Sequence, residues 1–223
     1  MRLGERNVIK MRRISFTAGL IAVFSICLGA CKWLYPLAGP GEVLFQDDFS
    51  RTSSGWDRYH DDAYRADYQD GGYHIEVFKP ETVAWSLPKL SFQDVWISVE
   101  AERVKGPEDN AFGVICRYEN QSNFIFFLIS SDGFAGIGHY VDGEKTLLSD
   151  ESLLPTDAVH KGDEGNFIQA KCVGDRLTLY VNNSRVAEAI VDDIHSGDVG
   201  LIAGTYADPD VEIRFDNFST VQP

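Results

Sequence analysis

The chain has 223 residues, of which 44% are hydrophobic and 12% aromatic, enough for a packed core and too many for a disordered protein. Twenty Lys and Arg residues against 34 Asp and Glu give a formal net charge of −14, which argues against nucleic acid as a partner because phosphate binding needs a basic surface. Residues 1–30 hold five basic residues and one acid, so the remainder carries 15 basic and 33 acidic residues, a net charge of −18.

The first thirty residues have the layout of a secretory leader. Arg12 and Arg13 precede an uncharged run of 15 residues, 14–28, which is shorter than the roughly 20 residues that a membrane-spanning helix needs. Small residues and a cysteine follow this run. The sequence Leu28-Gly29-Ala30-Cys31 resembles the lipobox of bacterial lipoproteins.

This resemblance implies that residues 1–30 are a signal peptide, that Cys31 receives the lipid, and that residues 31–42 form a short tether. Several acyl chains on one residue make attachment durable, since one chain alone binds membranes weakly. The protein is then anchored to the cell membrane or outer membrane and faces the periplasm or the cell exterior. An uncleaved N-terminal anchor and an ordinary cleavage site beside an unrelated cysteine are the alternatives, and translation starts at Met1 or Met11.

Two cysteines remain beyond the leader and Cys31, namely Cys116 and Cys172. Both lie in apolar, strand-like runs, and an exported protein folds in an oxidising compartment. A disulfide between neighbouring strands is one interpretation, and two separate buried thiols are the other. Neither cysteine has a second Cys or a His at the spacing of a zinc site.

From residue 43 onward the hydrophobic pattern alternates with period two, which predicts strands. Tyr73, Ile75 and Val77 share one face, whereas residues 123–129 are almost wholly apolar and predict a strand buried on both faces. Residues typical of two-residue hairpins separate the apolar runs. These pairs are Asp132-Gly133, Asp142-Gly143, Gly174-Asp175 and Asn182-Asn183. The pattern predicts an all-β, two-sheet antiparallel sandwich (a jelly roll) of about 12 strands spanning residues 43–221.

Six segments of this region resemble the concanavalin A-like lectin/glucanase superfamily, and its closest branches are laminin-G-like and 3-keto-disaccharide hydrolase-like domains. The segments are 45–50 (with Gly55-Trp56 following), 104–118, 127–134, 174–182, 199–205 and 215–218. The resemblance implies a jelly roll whose first and last strands pair and whose concave face often meets sugars. These motifs describe the fold more than the chemistry, and a fold alone does not determine function.

The sequence offers no complete catalytic motif. Retaining glycosidases need two carboxylates about 5 Å apart, and laminarinase-like members of the superfamily present Glu-x-Asp-x-Glu on one strand. Glu100 and Glu102 share a strand face, but Ser98 and Val104 flank them and no Asp lies between. We therefore assign no catalytic residues and interpret the two glutamates as either a solvated strand face or sugar contacts.

Four further residues are candidate ligand contacts, namely Arg117, His139, Tyr140 and Trp56. Arg117 is expected to face outward beside Glu100 if Cys116 faces the core, and it then either pairs with a glutamate or binds a ligand. Gly136 and Gly138 predict open space beside His139 and Tyr140, or else only relieve crowding.

Trp56 belongs to an aromatic, acidic loop and is interpreted either as a recognition residue or as a plug at the end of the sandwich. Calcium is the one cofactor considered, and it needs several oxygen ligands. Asp47, Asp48 and Asp216 would supply them if the first and last strands pair. No other cofactor is expected.

The function predicted from these features is a lipid-anchored, extracytoplasmic binding module for a neutral glycan, since the acidic body disfavours an acidic one. Two alternatives remain open at this stage. One is a sugar-active hydrolase of the 3-keto-disaccharide type, and the other is a structural or adhesive surface module without a small-molecule site.

Overall fold

The computed structural model describes residues 41–223, so the predicted leader, Cys31 and most of the tether lie outside the described residues. This part of the chain is all-β, with 17 strands and no helix. It therefore contains no helix long and apolar enough to cross a membrane.

The strands, numbered in chain order, form two antiparallel sheets. The nine-stranded sheet contains β1 (Val43–Asp47), β2 (Tyr59–His60), β3 (Tyr64–Gln69), β4 (Gly72–Val77), β7 (Val95–Lys105), β13 (Asn166–Val173), β14 (Arg176–Val181), β15 (Ser184–Ile190) and β17 (Val211–Val221). The eight-stranded sheet contains β5 (Val83–Ser86), β6 (Ser91–Phe92), β8 (Asn110–Asn120), β9 (Asn123–Ile129), β10 (Phe134–Val141), β11 (Glu144–Leu147), β12 (Leu154–Pro155) and β16 (Gly197–Thr205).

The order of the strands confirms the predicted two-sheet sandwich. The nine-stranded sheet runs β15-β14-β13-β7-β17-β4-β3-β2, and β1 pairs with β17, so the first and last strands are neighbours. The eight-stranded sheet runs β11-β10-β9-β8-β16-β5, with β12 beside β10 and β6 beside β16. The expectation of about 12 strands was too low, because several strands at the rim have only two residues.

The core between the sheets follows the predicted alternation. Tyr73, Ile75 and Val77 are fully buried on the inner face of β4, where each apolar side chain leaves water and stabilises the fold. The four predicted turn pairs all connect consecutive antiparallel strands. Asn182 and Asn183 both adopt positive φ, of 49° and 65°, as a tight hairpin requires.

A disulfide joins the two sheets. The Sγ atoms of Cys116 on β8 and Cys172 on β13 are 2.16 Å apart, and both residues are fully buried. The bond therefore links facing sheets rather than neighbouring strands of one sheet. It closes a chain segment with a sequence separation of 56 residues.

Candidate functional site

The outer face of the eight-stranded sheet carries a second apolar cluster, separate from the core. Outward positions of an antiparallel sheet are usually polar, but here six buried apolar residues occupy them. They are Ala111, Ile115, Phe124, Phe126, Leu128 and Ile202. The unbroken apolar run of β9 explains this, because alternate residues of one strand supply both the core and the outer face.

Five aromatic side chains form a continuous array on this face, which we call the aromatic array. Its members are Trp85, Tyr118, Phe124, Phe126 and Tyr140. The Phe124 ring stacks on Tyr140 with centroids 4.7 Å apart, and it lies 5.5 Å from Tyr118 and 5.6 Å from Trp85. Phe124 and Phe126 are each 1% exposed, whereas the other three rings are half-buried and present their remaining surface to solvent.

A groove of about 250 Å³ runs beside the array. Ala111 of β8 pairs with Gly204 of β16, and these small residues form its floor. The groove is also lined by Phe126, Tyr140 and Tyr206. A Cβ atom at Gly204 would lie only 3.1 Å from a backbone oxygen, so the glycine keeps the floor low and the strands close.

Lys145 and Tyr206 provide polar groups within the groove. The Lys145 Nζ lies 5.7 Å from the centre of the Phe126 ring, a cation–π arrangement, and has no carboxylate within 4.0 Å in residues 41–223. Desolvation lowers the pKa of this ammonium. Burial raises the pKa of the Tyr140 and Tyr206 hydroxyls, so both stay protonated and able to donate near neutral pH.

A second recess of about 450 Å³ adjoins the groove and shares Lys145 and Tyr206 with it. Asp109, Asp132 and Glu151 line this recess. The negative charge of the two aspartates also contributes to the raised pKa of Tyr206. The combined surface thus has an aromatic part and an acidic part, and Lys145 lies where they meet.

Of the residues expected to contact a ligand, the structure places Tyr140 in this groove. His139 lies on the opposite side of β10, because successive strand residues point to opposite faces. Its Nδ1 is 3.6 Å from Asp193 Oδ1, and its side chain is 13% exposed. His139 and Tyr140 therefore do not share a site.

The open space predicted beside Gly136 and Gly138 is filled by other side chains. A Cβ atom at Gly138 would lie 2.4 Å from the Phe126 ring, and one at Gly136 would lie 2.7 Å from Leu153. These glycines make room for neighbouring apolar groups and do not open the sheet to a ligand.

The prediction that Arg117 faces outward beside Glu100 is wrong. Arg117 is 1% exposed and belongs to the other sheet. Its guanidinium donates hydrogen bonds to the carbonyls of Gln93 (3.1 Å), Ile194 (2.9 Å) and Gly174 (2.7 Å). The backbone φ of Arg117 is 53° and the pairing register shifts after Cys116, so a bulge turns the side chain inward. It is a structural residue.

Trp56 plugs the end of the sandwich, which was the alternative to a recognition role. It is 4% exposed and its ring meets Phe218 edge-on at 4.9 Å. Its Nε1 donates to Asp47 Oδ2 at 2.9 Å, so the buried indole has its partner.

Glu100 and Glu102 lie on the outer face of the nine-stranded sheet, in a polar recess of about 270 Å³. Arg214, rather than Arg117, pairs with Glu102, since its Nη1 lies 3.2 Å from Glu102 Oε1. Asn217 donates to Glu100 at 3.2 Å. The two carboxylates are held by neighbours, as expected for a charged strand face.

The three aspartates considered for calcium are not brought together. Asp47 and Asp48 line one pocket, whereas Asp216 lines another and pairs with Arg214. Asp47 accepts hydrogen bonds from Trp56 and from the Phe49 amide. Residues 41–223 contain no group of three His, Cys, Asp or Glu side chains arranged for a metal ion.

Sequence reasoning missed most residues of the groove and of the aromatic array beside it. The missing residues are Trp85, Tyr118, Phe124, Phe126, Lys145 and Tyr206. One signal was present, namely the apolar run of residues 123–129. A strand buried on both faces needs side chains that shield its outer face from water as well as a core on its inner face. In this two-layer sandwich the aromatic array shields the outer face of β9.

No family model matches the sequence, and no curated protein matches it. The fold is similar to the carbohydrate binding module CBM66 from Bacillus subtilis, at a TM-score of 0.62 and 14% identity over 75% of this chain and 96% of that one. A Bacillus subtilis protein of unknown function with a galectin-like fold gives a TM-score of 0.60 at 10% identity, covering 83% and 98% of the two chains.

A third similar structure is the GH43 protein BlXynB from Bacillus licheniformis, at a TM-score of 0.57 and 13% identity. The match covers 79% of this chain but 39% of the enzyme. At these identities the likeness concerns the fold alone. The chain therefore shares a two-sheet antiparallel sandwich fold with these structures.

Proposed function

We propose that this protein is a glycan-binding module whose binding site is the groove on the eight-stranded sheet. The observation that carries the proposal is the aromatic array, in which Trp85, Tyr118 and Tyr140 are partly exposed. Its members Phe126 and Tyr140 line the groove together with the donors Lys145 and Tyr206. Flat rings pack against the C–H faces of sugars, while a few polar groups fix the hydroxyls. The similar structures, a carbohydrate binding module among them, support this proposal by analogy of fold.

A neutral glycan suits the charge of the site best. The body of the protein carries a net charge of −18, and Asp109, Asp132 and Glu151 lie beside the groove. Like charges disfavour the approach of a polyanion. The Lys145 ammonium has three donors for sugar hydroxyls and ring oxygens.

Replacing Tyr140 by Ala is expected to weaken glycan binding about tenfold, which corresponds to about 1.4 kcal/mol. The variant loses the ring that stacks on Phe124 at the edge of the groove. Binding is measured by calorimetry on the full chain in detergent, with the neutral probes cellohexaose, xylohexaose and maltohexaose. Tyr59→Ala is the matched control, because Tyr59 is a 45% exposed aromatic on the other sheet.

The outcomes separate this proposal from its rivals. Equal affinity of the Tyr140 and Tyr59 variants would contradict a site in the groove. Product analysis of the same mixtures, extended to 3-keto-disaccharides, tests the hydrolase, since released monosaccharide would reveal an enzyme. A glycan array without any hit would leave the structural or adhesive module.

We also propose that Cys31 anchors the module to a membrane through lipid, on the outward side of the cell membrane or outer membrane. The support is the resemblance of residues 28–31 to a lipobox after a basic, apolar leader. Cells expressing the protein are expected to incorporate labelled palmitate into it, and Cys31→Ala should abolish the label. Cys27→Ala, four residues earlier, is the control that keeps it. Persistent labelling of the Cys31 variant would refute the anchor.

A further inference from the structure

The outer face of the nine-stranded sheet, opposite the groove, also carries a pair of half-buried aromatic rings. Trp96 of β7 and Tyr180 of β14 are separated by β13, yet their rings come together over that strand. The ring centroids are 6.3 Å apart and the planes differ by 29°. The two rings are therefore nearly parallel and together form one apolar patch.

The surroundings of this pair differ from the rest of the face, where charged side chains pair with one another. Arg65 pairs with Glu76 at 3.0 Å, and Arg214 pairs with Glu102 at 3.2 Å. Such ion pairs are typical of a solvated strand face. Trp96 and Tyr180, in contrast, are uncharged and their rings contact each other.

Two donors at the rings lack partners among residues 41–223. The Lys171 Nζ lies 5.2 Å from the centre of a Trp96 ring and has no carboxylate within 4.0 Å. The Trp96 Nε1 has no hydrogen-bond partner and almost no solvent exposure. An inaccessible N–H group without a partner costs free energy, so an acceptor atom brought there by a ligand would be favourable. The Lys171 side chain is long and flexible, and its displacement would open the ring to such a ligand.

A polar recess lies along the same strands. Glu100 follows Trp96 by four residues on β7, which is about 13 Å along a strand. Glu100 faces Phe167 of β13 in the pairing register, and both residues line the recess of about 270 Å³. A chain of sugars lying along β7 would run from the two rings to this recess.

We propose that Trp96, Tyr180 and Lys171 form a second glycan-binding platform on the face opposite the groove. The two rings take the C–H face of a neutral pyranose, and the Lys171 ammonium and the Trp96 indole N–H donate to its oxygens. The proposal rests on the proposed glycan-binding function for the chemistry of its ligand. Two sites on opposite faces allow one protein molecule to join two glycan chains, which raises avidity without new contacts.

Calorimetry with the best of the three hexasaccharide probes tests the platform through stoichiometry. The full chain is expected to bind two molecules of probe. Trp96→Ala, Tyr180→Ala and the milder Lys171→Met should each weaken one of the two binding events about tenfold. Tyr140→Ala should weaken the other event. Arg185→Ala, a charged residue on β15 that pairs with Glu188, should change neither.

The possible results distinguish the two sites. A stoichiometry of one, with unchanged affinity in the Lys171 and Tyr180 variants, would overturn the platform and leave the groove standing. Binding that is lost in the Trp96 variant and kept in Tyr140→Ala would overturn the groove and support the platform. If Trp96→Ala does not fold, the Lys171→Met and Tyr180→Ala variants decide, because their side chains lie on top of the sheet.

Discussion

Replacing Cys116 and Cys172 together by alanine is expected to lower the free energy of unfolding by about 4 kcal/mol. The bond ties β8 to β13 across the core and closes a segment with a sequence separation of 56 residues, so its loss frees the unfolded chain. Urea unfolding of the full chain, followed by tryptophan fluorescence, measures the change. Small domains are stable by only about 5–15 kcal/mol, so a loss of this size is easily seen.

Reduction provides the matching control for the disulfide. Dithiothreitol should lower the urea midpoint of the wild-type protein and leave the double alanine variant unchanged. A count of free thiols on the urea-unfolded protein should find neither Cys116 nor Cys172 reactive before reduction. Two reactive thiols in the oxidised protein, or a variant as stable as the wild type, would contradict the cross-link.

Arg117→Met is expected to cost about 3–5 kcal/mol of stability, as for other changes that break a buried charged network. The guanidinium satisfies the carbonyls of Gln93, Ile194 and Gly174, and methionine leaves them without donors in a closed site. Arg117→Lys should lose nearly as much, because a single ammonium cannot reproduce the planar fork. The urea midpoint reports both changes.

Arg185→Ala is the control for Arg117. Its ion pair with Glu188 is exposed, and surface changes of this kind shift stability by about 0.5 kcal/mol or less. If Arg117→Met is no more destabilising than Arg185→Ala, then the hydrogen bonds of Arg117 to the three carbonyls do not stabilise the fold.

The fold could be predicted because its sequence signals are local. Alternation identified the inward face of β4, because side-chain direction alternates along a regular strand. Turn pairs such as Asn182-Asn183 predicted the positions of hairpins, because few residues tolerate positive φ. The pairing of the first and last strands followed from the resemblance of residues 45–50 and 215–218 to the superfamily.

The site could not be predicted from the same signals, because it depends on which strands become neighbours. Trp85, Tyr118 and Phe124 lie on β5, β8 and β9, and no local pattern reveals that their rings meet. Arg117 was misplaced because simple alternation fails at a bulge. Arg214 and Asn217 lie near Glu100 because β17 pairs with β7. This pairing joins distant parts of the chain, so no local pattern predicts it.

Amide chemical-shift mapping tests most directly whether the groove on the eight-stranded sheet binds a glycan. The full chain in detergent is titrated with the best of the three neutral hexasaccharides. Large shifts are expected for the amides of Phe126, Tyr140, Gly204 and Tyr206. Binding that leaves these four amides unshifted, or an absence of binding to any neutral glycan on an array, would contradict a glycan site in the groove.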